Sequence, residues 1–278
     1  MEIRTVTKMT QGQPAVDGAG VHLIRVFGHG QIPSYDPFLL LDVFDSTEKE
    51  KYIKGFPFHP HRGIQTVTYL IEGNIEHKDT LGNGGVISDG DCQWMVAGKG
   101  IVHQEMPLES KRIYGCQLWI NLPRDNKMMK PAYQDIPSST IPEVEDAGCR
   151  VRVIAGTYRE VTSPFNSHEV PTRYLDVFLK SNRTWNLEVE PSHTAVVYIL
   201  EGEAQFDKTG TGYTNKQAFK LEGGDTVQVN TGENPVRFLL FEAEPLDEPV
   251  AWGGPIVMNS RDELHQAFRE LEEGTFLT

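Results

Sequence analysis

The stretch that decides the fold is TYLIEG at residues 68–73, because VYILEG recurs at residues 197–202. Each is an apolar run with β-branched and aromatic residues that ends in a Glu-Gly turn, the pattern of a strand entering a hairpin. Further on, GDCQWMVAG at 90–98 resembles GDTVQVNTG at 224–232. Both halves then run in one order: apolar strand, Glu-Gly turn, hairpin, Gly-Asp turn, strand, Gly turn, strand. The offset widens between the two matches, inside the hairpin, where insertions are tolerated. Two copies of one small β-barrel are the simplest reading.

The flanking sequence agrees. VHLIRVFG, FLLLDVF, YGCQLWINL, CRVRVIAG, YLDVFLK and VRFLLFEA are strand-length runs bounded by turn residues, which predicts an all-β protein of two tandem antiparallel barrels. One helix is expected, near the end. Ser260 and Glu263 form a capping-box pattern, and Leu264, Ala267, Phe268 and Leu271 share one helical face. Residues 122–149 are polar and Pro-rich and read as a linker. The expected domains are residues 1–133 and 134–278.

The chain has 278 residues, 38% of them hydrophobic, enough for a core in each half. Its net charge of −13, from 39 acidic and 26 basic residues, repels a phosphate backbone and disfavours direct nucleic-acid binding. No apolar run is long enough to span a membrane, and the charged N-terminus lacks the apolar core of a secretory signal. The three cysteines, Cys92, Cys116 and Cys149, form no CxxC pair, so a reducing, cytoplasmic setting is expected.

FHPHRG at 58–63 carries the chemistry. His59 and His61 are two residues apart, which on a strand puts both rings on one face. Pro60 between them cannot donate a ladder hydrogen bond, so the segment belongs at a strand start or an edge. His103 and Glu105 repeat the spacing. If the two segments are neighbours, three imidazoles and a carboxylate converge inside the barrel. That set suits Fe(II) and could hold Mn, Co, Ni, Cu or Zn, leaving two open positions in octahedral geometry.

An HxH in a chain with nine histidines is weak evidence by itself, and a solvated strand face is the alternative. The repeat supplies a control. Carried across at the two offsets, His59 and His61 fall on Glu188 and Glu190, His103 on Arg237 and Glu105 on Leu239. The second copy keeps the turns without the histidines, so barrel formation does not require them.

HPHRGIQTVTYLIEGNIEHKDTLGN, GDCQWMVAGKGIVHQEMP, QLWINLP and the closing WGGPIVMNSRDELHQAF resemble the pirin family of the cupin superfamily. The resemblance covers almost the whole chain. It implies a bicupin, two jelly-roll barrels with metal in the N-terminal one only, held by His59, His61, His103 and Glu105, usually as iron. Cupins often place a glutamate ligand a few residues after HxH, and pirins commonly have Glu there outside the ligand set. This chain has Gln65, which could alter hydrogen bonding around the metal.

The resemblance further implies quercetin 2,3-dioxygenase activity, with a flavonol and dioxygen as substrates and Glu105 as the proton acceptor. Its alternative is an iron-dependent redox sensor that binds and regulates a protein partner. A metal enzyme acting on another small substrate, such as an isomerase, is a third reading. Trp94, Met95, Gln117 and Trp119 could line a pocket for a flat ligand, though core is the commoner role for each. His77 is either a pocket group or an exposed hairpin residue. Cys92 and Cys116 read as small buried hydrophobes.

Overall fold

The computed structural model describes all residues except 147, 166, 168 and 207–210. Its strands are antiparallel throughout the two large sheets, and the one α-helix among the described residues, Arg261–Glu273, lies near the C-terminus. No described helix is long and apolar enough to cross a membrane.

Contacts divide the chain into two units, and neither is a contiguous half. One contains Gln13–Ser138 and Leu246–Thr278, the other Met1–Gly12 and Ser139–Pro245. The expected division into residues 1–133 and 134–278 is therefore corrected at both ends of the chain. The physical reason lies in strand pairing, which is blind to sequence distance. Thr5–Gln11 pairs with Gln217–Glu222 as the edge of the second unit's large sheet. Ala132–Ile136 pairs with Cys92–Val96 as the edge of the first unit's large sheet. The stretch read as a linker thus contains two edge strands, Ala132–Ile136 and Glu143–Asp146.

In the first unit, seven strands run in the order Ala132–Ile136, Cys92–Val96, Ile64–Glu72, Ile113–Asn121, Phe38–Ser46, Val21–Phe27 and Gln13–Asp17. A second sheet has the order Phe56–His61, Ile101–Pro107, Ile75–Asp79 and Gly84–Ile87. Phe56–His61 is an edge strand, where the missing N–H of Pro60 costs no ladder bond. Between the sheets lie apolar clusters around Leu40, Ile64, Met95 and Trp119, and around Leu23, Phe44, Leu70 and Ile113.

The second unit repeats this plan. Thr194–Ala204 sits between Gln217–Glu222 and Val236–Ala243, as Ile64–Glu72 sits between Cys92–Val96 and Ile113–Asn121. Both Glu-Gly turns need their glycine. A Cβ on Gly73 (φ 110°) would lie 2.7 Å from the Arg112 carbonyl oxygen, and one on Gly202 (φ 85°) 2.1 Å from that of Pro235.

The Gly-Asp match, however, is out of step. Val236–Ala243 is the counterpart of Ile113–Asn121, and the counterpart of the His103 strand is Thr226–Asn230, which pairs with Thr184–Glu188. Arg237 and Leu239 are thus not the partners of His103 and Glu105. The control still holds on the right pair. Neither TWNLE nor TVQVN contains histidine, and their buried apolar residues, Trp185, Leu187, Val227 and Val229, all belong to one apolar core.

Arg4 anchors the N-terminal strand to the second unit. It is fully buried, and its guanidinium donates to the backbone carbonyls of Glu190, Pro191, His193, Leu221 and Gly224 at 2.6–3.2 Å. Arg4→Met would leave these buried acceptors without donors, each worth about 1–3 kcal/mol. The expected loss in urea unfolding is about 3 kcal/mol or more; a loss within about 0.5 kcal/mol would show that the strand does not depend on this anchor.

The helix follows its sequence pattern. Ser260 Oγ accepts from the Glu263 N–H at 3.3 Å, and Glu263 Oε2 accepts from the Ser260 N–H at 2.8 Å. Gly274 ends it in the left-handed conformation, and Leu264, Ala267, Phe268 and Leu271 pack towards Ile256 and Met258.

Candidate metal centre

The small sheet of the first unit brings the predicted histidines together. His103 faces His59 across the ladder, and Ile101 faces His61. Ring centroids are 4.4 Å apart for His59 and His103, 4.8 Å for His59 and His61, and 5.1 Å for His61 and His103. One nitrogen from each lies within 4.8 Å of the others, a group of the size that one ion can draw in.

The hydrogen bonds prepare these rings. His59 Nδ1 is 2.8 Å from the Pro57 carbonyl oxygen and His61 Nδ1 is 3.2 Å from that of Pro255. A carbonyl only accepts, so both Nδ1 atoms carry the proton and both Nε2 atoms keep a lone pair. The Nε2 of His61 and both ring nitrogens of His103 are buried without a protein partner. Each such atom costs about 1–3 kcal/mol unless something else binds it. A metal ion fits these donors: the rings converge, His61 and His103 are neutral, and His61 Nε2 and both His103 nitrogens are otherwise unsatisfied.

Burial enforces the neutrality. It is the main force pushing His61 down to about 3, with the neighbouring His59 adding to it, and it pushes His103 well below the ordinary histidine range.

Glu105 is buried on the same strand as His103 but does not join the three-histidine group. Its Oε1 accepts from Thr68 Oγ1 at 2.9 Å and its Oε2 from Gln117 Nε2 at 2.8 Å. Gln117 Oε1 in turn accepts from Trp119 Nε1 at 3.1 Å. The carboxylate is thus held between the two sheets beside the histidines, with its negative charge met by two donors. Gln117, the one polar side chain in the stretch CQLWI, finds its reason here.

The remaining candidates separate. Trp119 meets His61 edge to face at 5.0 Å between ring centroids, and Met95 joins its apolar cluster. His77 is fully buried, not exposed; it stacks on Tyr133 at 4.5 Å, lies 5.4 Å from the His103 ring, and has Nε2 3.4 Å from Asp79 Oδ2. Gln65 and Trp94 turn away. Strand alternation puts Gln65 on the sheet face opposite Thr66 and Thr68, where its Oε1 accepts from Trp94 Nε1 at 2.8 Å. Gln65 therefore supports an indole on the face opposite Thr66 and Thr68. All three cysteines are buried, and none is in a disulfide.

Sequence reasoning passed over Thr68, Arg62, Lys127 and the Pro255 carbonyl. Lys127 Nζ donates to the carbonyl oxygen of Gly63 at 2.8 Å, just past the HPH segment, and burial lowers its pKa to about 7. Threonine in a strand is ordinary, and a backbone acceptor from a segment nearly 200 residues away leaves no mark in a motif.

Two β-units, one with a three-histidine group that could hold a metal ion and one whose equivalent strand pair points apolar side chains into its core, give a two-domain cupin fold. The comparisons place it further. The pattern of the pirin family matches residues 20–120, and that of the pirin C-terminal cupin domain residues 174–277. A pirin-like protein of Caulobacter vibrioides is 42% identical over 99% of this chain and 100% of its own. A protein of Pseudomonas aeruginosa described as a putative quercetin 2,3-dioxygenase is 38% identical over 98% of this chain and 97% of its own. The crystal structure of a quercetin 2,3-dioxygenase from Acinetobacter baumannii superposes with a TM-score of 0.90 at 31% identity, covering 99% of both chains. This chain belongs to the pirin family.

The depressed histidines set a pH dependence. Unfolding returns His61 to about 6.5, so between about 6.5 and 3 the unfolded chain binds a proton that the folded site refuses. The metal-free protein therefore loses stability as pH falls through that window. In chelator, Tm is expected to drop from pH 7 to pH 5, and His61→Leu to make the drop shallower; an identical drop in the variant would contradict the assignment.

Proposed function

We propose that this chain is a pirin-type dioxygenase that opens a flavonol such as quercetin with dioxygen, using Fe(II) held by His59, His61, His103 and Glu105. The observation that carries the reading is the convergent three-histidine group, in which His61 Nε2 and both ring nitrogens of His103 are buried without a protein partner, set beside a carboxylate that accepts from two donors. The relatives described as quercetin 2,3-dioxygenases support the substrate class. A bound divalent iron would supply Lewis-acid polarisation of the flavonol 3-hydroxyl and redox access to dioxygen.

The chain's own residues supply the rest. Glu105 completes the donor set and accepts the 3-hydroxyl proton on one carboxylate oxygen. Gln117 and Thr68 keep that carboxylate oriented, so its proton-accepting position is set before substrate arrives. Gln117 is itself held by the Trp119 indole N–H. Trp119 and Trp252, 5.7 Å apart, give an aromatic wall beside His61 that favours a flat ring system and keeps water from the reacting carbon. Orienting the flavonol against this wall is largely a positioning effect.

The test is oxygen-dependent loss of flavonol absorbance by protein loaded with Fe(II), alongside iron content. His61→Ala should abolish both bound iron and turnover. Glu105→Gln should lower kcat by about 100-fold or more. Turnover that survives His61→Ala unchanged would place the chemistry elsewhere.

A further inference from the structure

We infer that the C-terminal segment, from the Ala251–Gly253 strand through Phe276, is a positioning element of the metal centre, with Arg62 as its anchor and Glu270 as its key partner. The inference rests on the reading of His59, His61 and His103 as metal ligands.

The segment touches the ligand strand at three successive residues. His61 has Nδ1 3.2 Å from the Pro255 carbonyl oxygen. That contact selects the tautomer whose Nε2 faces the other two histidines. Arg62 continues with backbone pairing: its carbonyl accepts from the Val257 N–H at 3.1 Å, and it bridges in parallel with Ile256. Gly63 (φ 76°) then lets the chains close, because a Cβ there would lie 1.9 Å from the Val257 carbonyl oxygen.

The Arg62 side chain is the stronger link. It is buried, an expensive state for a guanidinium unless its donors are matched. Nη1 donates to Glu270 Oε2 on the helix at 2.6 Å, and Nη2 to the Phe276 carbonyl oxygen at 2.8 Å. Its carbon centre stands 4.1 Å from the Phe276 ring centroid. Nε donates to the Lys99 carbonyl oxygen, in the turn that opens the His103 strand. One planar group thus joins the His59–His61 strand, the approach to His103 and the C-terminal helix. A rigid fork fixes direction as well as distance, which a lysine would not. Through it, the placement of the helix sets how His61 and His103 converge.

The test uses the full-length protein with Co(II), whose visible bands report ligand geometry. Glu270→Ala removes the carboxylate from Arg62, and Glu272→Ala makes the same charge change on an exposed neighbour. Glu270→Ala is expected to bind Co(II) about tenfold more weakly and to shift the visible bands, whereas Glu272→Ala matches the natural chain. Arg62→Met should show the same spectral shift to a greater degree. Unchanged affinity and bands in Glu270→Ala would overturn the inference. So would a lowered metal-free Tm with unchanged bands, which marks a purely structural contact. If Co(II) binding survives His61→Ala in the natural background, the metal reading itself falls, a result that no Glu270 variant can produce.

Discussion

A pair of facing strands gathers three imidazoles, two of which, His61 and His103, lie where burial forbids their charge, and the organisation of the first unit turns on that constraint. Neutral rings need one nitrogen protonated and the other free. The protons on His59 and His61 are directed to backbone carbonyls of Pro57 and Pro255. The free nitrogens then have only each other's company, an arrangement that favours a cation over water or protein. Everything around the group serves to keep that preference: an edge strand that tolerates Pro60, a carboxylate restrained by Thr68 and Gln117, and a C-terminal segment packed on Gly63.

The second unit shows the same scaffold under the opposite demand. Its equivalent strand pair points Trp185, Leu187, Val227 and Val229 inward, and they merge with a continuous apolar core. That choice favours stability, because apolar burial contributes roughly 25 cal/mol per Å2 and leaves no polar atom to satisfy. The first unit forgoes part of this at His61, His77 and His103: His61 Nε2, His77 Nδ1 and both nitrogens of His103 are buried without a protein partner. Departure from good packing in one copy alone is a physical mark of function, and it needs no annotation to be seen.

Both units take an edge strand from outside the stretch that forms their sheet centre. Thr5–Gln11 closes the edge of one, and the strand within the expected linker closes the edge of the other. Each of these strands becomes the edge of its sheet, held there by main-chain pairing to a neighbour distant in sequence. Arg4 shows how firmly this is done, with a guanidinium matched entirely to main-chain oxygens.

Much of this protein was legible in the order of its residues. The period-two alternation, the two Glu-Gly turns and the paired i, i+2 histidines are local patterns, and local patterns determine strands, hairpins and the face on which a side chain lies. They were enough for an all-β duplicated fold with the three histidines in one copy, and the capping box was enough for the helix. What only the tertiary structure decided is everything that depends on pairing across sequence distance. The Gly-Asp similarity pointed to Arg237 as the counterpart of His103, but hydrogen-bonded neighbours, not motifs, determine equivalence, and they put Thr226–Asn230 there. Gln65 looked close to the site in sequence and lies on the far face of its sheet. Pro255 and Glu270 look remote and meet His61 and Arg62 directly. Sequence carries the chemistry of each side chain and its local direction; which atoms meet is settled by packing, where a contact between residues 61 and 255 is as short as one between neighbours.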